Sequence, residues 1–294
     1  MALLAGTRWV QAEDRFVTWE LESKFLPGKR TVRICLPRDY VSQPDRRYPV
    51  LYAHDGQNVY SAAGTNVGFG WGNWELDITA DRLARAGSMR EVLIVAVDNS
   101  GMSRYAEYSA RHRPPGATNS TAFENYSSFL IEELMPKIDR SYRTLRGATN
   151  TAVLGSSMGG LCSLALVWEH PTIFGGAASL SGAFSVEQTN FLSEVVRKYD
   201  GPAKPVRIYL DSGSVDFTGG DDGRSLTAAM AAELKRIGWG SGLEWYVDAT
   251  PMSTEGLERS GLRRDKWADA QRNQHNEFYW RLRVHRALTF LFPP

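Results

Sequence analysis

Short runs of apolar residues alternate with longer stretches whose apolar positions recur every three to four residues. That alternation predicts an α/β protein with a mostly parallel sheet and helices on both faces. The strand candidates are Phe16–Leu21, Thr31–Leu36, Val50–Ala53, Val92–Val97, Thr151–Leu154, Gly176–Leu180, Val206–Leu210 and Leu243–Val247. The helix candidates are Trp74–Ala86, Ala122–Ile138, Met158–Glu169, Val186–Lys198, Ser225–Ile237 and Glu277–Phe290. No helix separates the first two strands, and Pro27-Gly28 is a turn signal, so these two read as an antiparallel lead-in hairpin. Two long irregular stretches remain, Asp98–Thr121 and Ala249–Gln274, and segments of that length in compact domains are usually functional loops or lids. With no repeat and no linker-like shift in composition, residues 1–294 are expected to form one domain, with a possible lid at 249–274.

One stretch looks at first like a different class of protein. Gly147–Trp168 carries no charge over 22 residues, the length of a membrane span. Its interior, however, is Gly155-Ser156-Ser157-Met158-Gly159-Gly160, too rich in glycine and serine for a span, and it reads as strand, tight turn and helix. Gly155-Ser156-Ser157-Met158-Gly159 is also a Gly-x-Ser-x-Gly pattern, which places Ser157 at the tip of a nucleophile elbow. A serine on such a turn needs side-chain-free neighbours two positions before and after it, and Gly155 and Gly159 meet that need. The bland alternative is a glycine-rich turn that cradles a phosphate. No Lys-Ser/Thr pair follows, which excludes a P-loop.

A serine becomes a nucleophile only when a base takes its proton and a carboxylate orients that base. Of the five histidines, His54 and His112 precede the serine, the wrong chain order for this fold, and His170 directly follows the elbow helix. His285 lies within the last helix, off its apolar face, whereas His275 sits just before that helix and is preferred. For the acid, the loop after the seventh strand offers Asp211, Asp216, Asp221 and Asp222. Asp216 is preferred because Gly213-Ser214-Val215 can project it, with Asp211 second and Asp248 third. The oxyanion needs backbone donors. Met158 N–H comes with the elbow, and Gln57 N–H, after Gly56 in His54-Asp55-Gly56-Gln57-Asn58, is the second candidate. Trp71, Trp74 and Tyr60 flank that loop, and rings there could stack on an acyl group or a sugar. Arg104 and Glu107 either bind a polar leaving group or pair with each other, and Trp267 in the long insertion is a further candidate substrate contact.

Composition narrows the picture. Lys+Arg 34 against Asp+Glu 33 leaves a net charge of +1, which does not favour nucleic acid or an anionic membrane. Cys35 and Cys162 are too far apart in sequence for a metal or redox motif, and no third ligand is spaced near His54 and Asp55, so no metal and no cofactor is expected. The run Met1–Arg8 is too short for a signal core, which predicts a cytoplasmic protein, or a secreted one had a leader been removed. The oligomeric state cannot be read from these residues.

The run Arg47–Tyr52 through His54–Asn58, the Val97-Asp98-Asn99 strand end with Arg104 and Glu107-Tyr108, the elbow, and Gly213–Asp216 together resemble the putative esterase family of α/β hydrolases. That family includes feruloyl and acetyl-xylan esterases, siderophore esterases and mycolyltransferases. The resemblance covers roughly Arg15 to Phe292. It implies an α/β-hydrolase fold, Ser157 as nucleophile, His275 as base, Asp216 as acid, and Gln57 and Met158 as oxyanion donors. In the family the histidine usually follows the last strand closely, whereas here Ala249–Gln274, 26 residues, intervene. The expected activity is hydrolysis of a small-molecule or carbohydrate-linked carboxylic ester through an acyl-enzyme. The alternatives are an acyltransferase with the same triad and a catalytically idle binding protein.

Overall fold

The computed structural model describes residues 15–112, 118–186 and 189–294. The N-terminal run read for a leader, and part of the Asp98–Thr121 stretch, lie outside them. In chain order the main elements begin with β1 (Phe16–Glu22), β2 (Lys29–Cys35), β3 (Val50–His54), α1 (Leu76–Arg85), β4 (Leu93–Val97), α2 (Arg104–Glu107), α3 (Ala122–Ser128) and α4 (Met135–Ser141). They continue with β5 (Thr151–Ser156), α5 (Met158–Glu169), β6 (Gly176–Leu180), β7 (Arg207–Ser212), α6 (Arg224–Ile237), β8 (Leu243–Val247), α7 (Thr254–Arg259), α8 (Trp267–Ala270) and α9 (Glu277–Leu291).

The eight strands form one sheet in the order β1-β2-β4-β3-β5-β6-β7-β8. β1 and β2 are the antiparallel hairpin, β2 joins β4 antiparallel, and the strands from β4 to β8 run parallel, so the sheet is mixed. Strands buried on both faces alternate between two cores. Val50, Tyr52 and Val153 pack with α3, α4, α5 and α6 on one face. Leu51, Ala53, Ala152 and Leu154 pack with α1 and α9 on the other. The uncharged Gly147–Trp168 stretch resolves into β5, a turn and α5, and among the described residues no helix is long and apolar enough to cross a membrane.

Two helices depart from the sequence pattern. Between α3 and α4, Phe129–Leu134 is wound as a π-helix just before Pro136, whose ring would crowd the carbonyl four residues back in an ordinary α-helical turn. Where a helix from Val186 to Lys198 was expected, a short ribbon pairs Ser185–Val186 with Thr189–Asn190. A π-helical turn, Leu192–Val196, follows it. Asn190 explains the late start, because its side-chain oxygen accepts from Ser193 N–H and caps the turn there.

Register sets up the site. Ser156 pairs with Leu180, and Leu180 with Asp211, across β5, β6 and β7. The residues that follow them, Ser157, Ser181 and Ser212, therefore leave the C-terminal edge of the parallel sheet side by side, where sites in open α/β sheets are built.

Candidate active site

Ser157 occupies φ 54°, ψ −123° between β5 and α5, a conformation that only surrounding structure can impose on a residue with a side chain. Its N–H donates to Leu180 O at 2.9 Å, and its carbonyl accepts from Gly160, Leu161 and Ala183. The glycines are there for space. A Cβ on Gly155 would lie 2.5 Å from the Gly159 backbone, and one on Gly160 would lie 2.5 Å from Ser179 Oγ. A Cβ on Gly159 would lie 3.2 Å from Asp55 Oδ2, which also shows how closely the start of α5 approaches the loop after β3. Among the described residues Ser157 Oγ has no hydrogen-bond partner.

That loop holds the second expected donor. Asp55 has φ 58°, and Gly56 lies so close to β4 that a Cβ would sit 2.8 Å from backbone carbons of Ala96 and Val97. Gln57 N–H and Met158 N–H have no partner among the described residues, so two donors are free on adjacent strand ends. The loop is clamped by Asp55, whose carboxylate takes Arg104 Nε and Nη2 at 2.6 and 2.8 Å and Asn99 Nδ2 at 2.7 Å. Arg104 is thus committed to the loop rather than to substrate, and its partner is not Glu107, which pairs with buried Arg30. Burial alone would lower the Arg104 pKa, but the Asp55 charge outweighs it and the guanidinium is held more firmly charged.

His275 Nδ1 lies 2.5 Å from a carboxylate oxygen, and that carboxylate is Asp222. Asp222 is buried, and its other oxygen accepts from Gly213 N–H at 2.5 Å and Ser181 Oγ at 2.6 Å. Asp216, the preferred acid by sequence, turns inward on its own loop and accepts from Thr218 and Gly220. Its carboxylate is spent on closing a tight turn. Asp211 pairs with Arg283 and Tyr209, and Asp248 makes no bond to His275 among the described residues. Asp222 belonged to the same group of loop carboxylates in the sequence. What singles it out is Gly223, at φ 67°, which turns the chain into α6 and leaves Asp222 pointing back at the sheet.

Gln274 was not foreseen. Its Oε1 accepts from Ser214 N–H and Oγ, and its N–H donates to Val215 O, which fastens the histidine segment to the acid loop. His275 then packs edge-on against Trp280 and Phe217, with ring centroids 5.2 and 5.9 Å away. Glu277, two residues further on, accepts from Asn58 Nδ2 and is pushed up to about 7, chiefly by burial. The other histidines are engaged elsewhere: His54 with Tyr126, His112 with Glu169, His170 with Ser127 and His285 with the Leu282 carbonyl. Burial drives His54 down to about 4, and no group able to hold a metal occurs among the described residues.

A cleft of about 510 Å³ is lined by Trp71, Phe217, Lys266 and Arg272 among others, and its Phe217 is the ring that packs on His275. Of the aromatic candidates only Trp71 lines it. Trp74 is buried against Trp280, and Tyr60 is buried with its hydroxyl on backbone carbonyls. Trp267 bonds to Leu262 O within residues 249–274, which fold as α7, a 3₁₀ turn and α8. Leu257, Leu262 and Ala270 pack that segment on Trp71, Phe278 and Tyr279.

Residues 23–278 match the family model described as "Putative esterase", well over half of the chain. The chain belongs to the putative esterase family. Membership makes it a hydrolase of the esterase type, and the mixed eight-stranded sheet is the α/β-hydrolase architecture of that family. A ferulic acid esterase superposes with a TM-score of 0.65 at 19% identity, covering 94% of this chain and 97% of that one. The enterobactin esterase of Shigella flexneri, solved with enterobactin, gives 0.67 at 19%, covering 94% of this chain and 58% of that one. Among curated relatives, the uncharacterized protein YbbA of Bacillus subtilis is 22% identical over 222 residues, 73% of this chain and 79% of its own length. An endo-1,4-beta-xylanase/feruloyl esterase of Xylanibacter ruminicola is 26% identical over 52% of this chain and 19% of that protein. An esterase of Mycobacterium tuberculosis is 29% identical over 53% of this chain and 30% of that protein. The matched region is thus a minor part of both of these longer family members.

Proposed function

We propose that this protein hydrolyses carboxylic esters through Ser157, His275 and Asp222 by way of an acyl-enzyme. The observation that carries the reading is the buried Asp222 carboxylate on His275 Nδ1, bonded also to Ser181 on the sheet edge from which Ser157 emerges in a conformation serines avoid. Asp222 fixes the tautomer that leaves His275 Nε2 free to take the Ser157 proton. The serine oxygen attacks the ester carbonyl, and the oxyanion is received by Gln57 N–H and Met158 N–H, the latter at the start of a helix whose dipole adds to the stabilisation. His275 returns the proton to the departing alcohol. Water, activated by the same histidine, then releases the acid. The cleft bounded by Trp71 and Phe217 suits a small-molecule or carbohydrate-linked ester with a flat face.

The test is turnover of p-nitrophenyl acetate, with and without a serine-directed phosphonate. A burst, steady turnover, and a single adduct on Ser157 that abolishes both are expected. Folded protein that neither turns over nor labels would remove the reading.

A further inference from the structure

Beneath His275 lies a buried charge cluster that the triad chemistry does not by itself require. Asp211 and Asp222 are both buried, and Arg283, 3% exposed, lies between them. Arg283 Nη2 is 3.2 Å from Asp211 Oδ1 and 4.0 Å from Asp222 Oδ2, and it donates to Ser181 Oγ at 3.0 Å. The contact with Asp211 is an ion pair rather than an aligned hydrogen bond, because the aligned N–H is given to Ser181. Trp280 Nε1 donates to the same Ser181 oxygen at 3.1 Å. With two donors arriving, that hydroxyl has one direction left for its own proton, and Asp222 Oδ2 lies there at 2.6 Å. Such a chain polarises each bond it contains.

We propose that Arg283 is a positioning residue for the catalytic pair: through Ser181 it orients Asp222, and by cancelling Asp211 it leaves one net negative charge to face His275. The proposal rests on the triad reading given above. Two buried carboxylates with no cation between them would repel and leave an uncompensated charge facing His275. Burial already raises the Asp211 pKa, and Arg283 opposes that rise. Counting Asp211, Asp222 and Arg283, the net charge is −1 in the native protein, −2 in Arg283→Met, 0 in Asp211→Asn, and again −1 in Arg283→Lys and in the Arg283→Met/Asp211→Asn double variant. Other charged groups act on this region: Glu277 and Asp55 across the site, Arg104 behind Asp55, Asp248 at the end of β8 towards Arg283, and Lys266, Asp269 and Arg272 around the cleft. None of these changes in the four variants.

The experiment is the pH dependence of kcat/KM on p-nitrophenyl acetate, with phosphonate labelling of Ser157 as the control for the triad reading. A more negative surrounding favours imidazolium, so the acid-limb midpoint is expected highest in Arg283→Met and lowest in Asp211→Asn. Arg283→Lys and the double variant should return to the native midpoint. A midpoint displaced by about one unit lowers the rate roughly tenfold on its acid side, and the double variant should recover most of that loss. Variants that lose rate with unmoved midpoints, or a double variant no better than Arg283→Met, would overturn the proposal and make Arg283 a packing residue. Should Arg283→Met not fold, an unmoved midpoint in Asp211→Asn overturns it equally. Failure of the native protein to label at Ser157 would instead strike the triad reading.

Discussion

The two halves of the proposed site are built by different means. The nucleophile half, from β3 and β5 into α5, is made by backbone: a serine at φ 54°, glycines with no room for a Cβ, and N–H groups left free at strand and helix ends. The acid–base half is made by side chains far apart in sequence, with His275 on Asp222, Gln274 on Ser214, and Ser181 bonded to Asp222. Backbone shape tolerates almost no substitution, whereas a side-chain network can lose a member and keep its fold. The first half should therefore fail by unfolding unless the change is confined to the serine oxygen, and the second by losing rate alone.

The largest effect tests the shared chemistry. Ser157→Ala is expected to lower turnover by roughly 10⁴–10⁶-fold with an unchanged Tm, measured on the same ester by steady-state rate and thermal melt. His275→Ala should approach that loss. Next, Asp222→Asn should cost roughly 10²–10⁴-fold, while Asp216→Asn stays within about threefold of native, since its carboxylate only closes its own turn. Equal losses in the two Asn variants would erase the distinction drawn between them. Gly155→Ala then probes the backbone half: with Gly159 at 2.5 Å, it should lose about 1–3 kcal/mol in urea unfolding and lose activity in step with folded fraction. Gln274→Ala should reverse that pattern, with kcat falling more than Tm.

The smallest effect concerns Glu277. Its folded pKa, about 7, lies above the usual carboxyl range, so its contribution to stability is complete below about 4.3 and is lost as pH rises towards and through 7. Glu277→Gln should shrink the drop in Tm between pH 5 and pH 8. An unchanged drop would mean that the carboxyl does not titrate in that window.

The sheet and the strand, turn and helix around Ser157 could be read from the chain because each follows from local pattern. β5, Ser157 and α5 come from one apolar run, two glycines and a helical repeat. Chain order alone pointed to His275 as the candidate base. The acid could not be singled out in that way, because three aspartates share one loop, a fourth lies at the end of the strand before it, and local propensity cannot say which of them turns inward. Asp216 has the flexible approach expected of a projecting carboxylate, but its Oδ1 is taken up by Thr218 and Gly220. Asp222 is chosen by Ser181, Gly213 and His275, contacts that exist only after the sheet has formed. Trp74 shows a related limit, since nearness in sequence to the 54–58 loop does not separate a wall of the cleft from what stands behind it, whereas Arg104, remote in sequence, is brought to that loop by its pairing with Asp55.

α5 differs from the other helices in that 11 of its 12 residues are buried, leaving it no solvent face. Such a helix cannot fray or swing out while the rest of the molecule stays folded, so its amides should exchange with solvent only through global opening. Residues 249–270, with exposed charged residues between a few apolar anchors and ahead of the Gln274 fastening, should open at lower free energy than α5. On warming, the protein should then lose its cleft wall first and its reactive serine last. A phosphonate would still label Ser157 at temperatures where bulky esters are no longer distinguished from small ones.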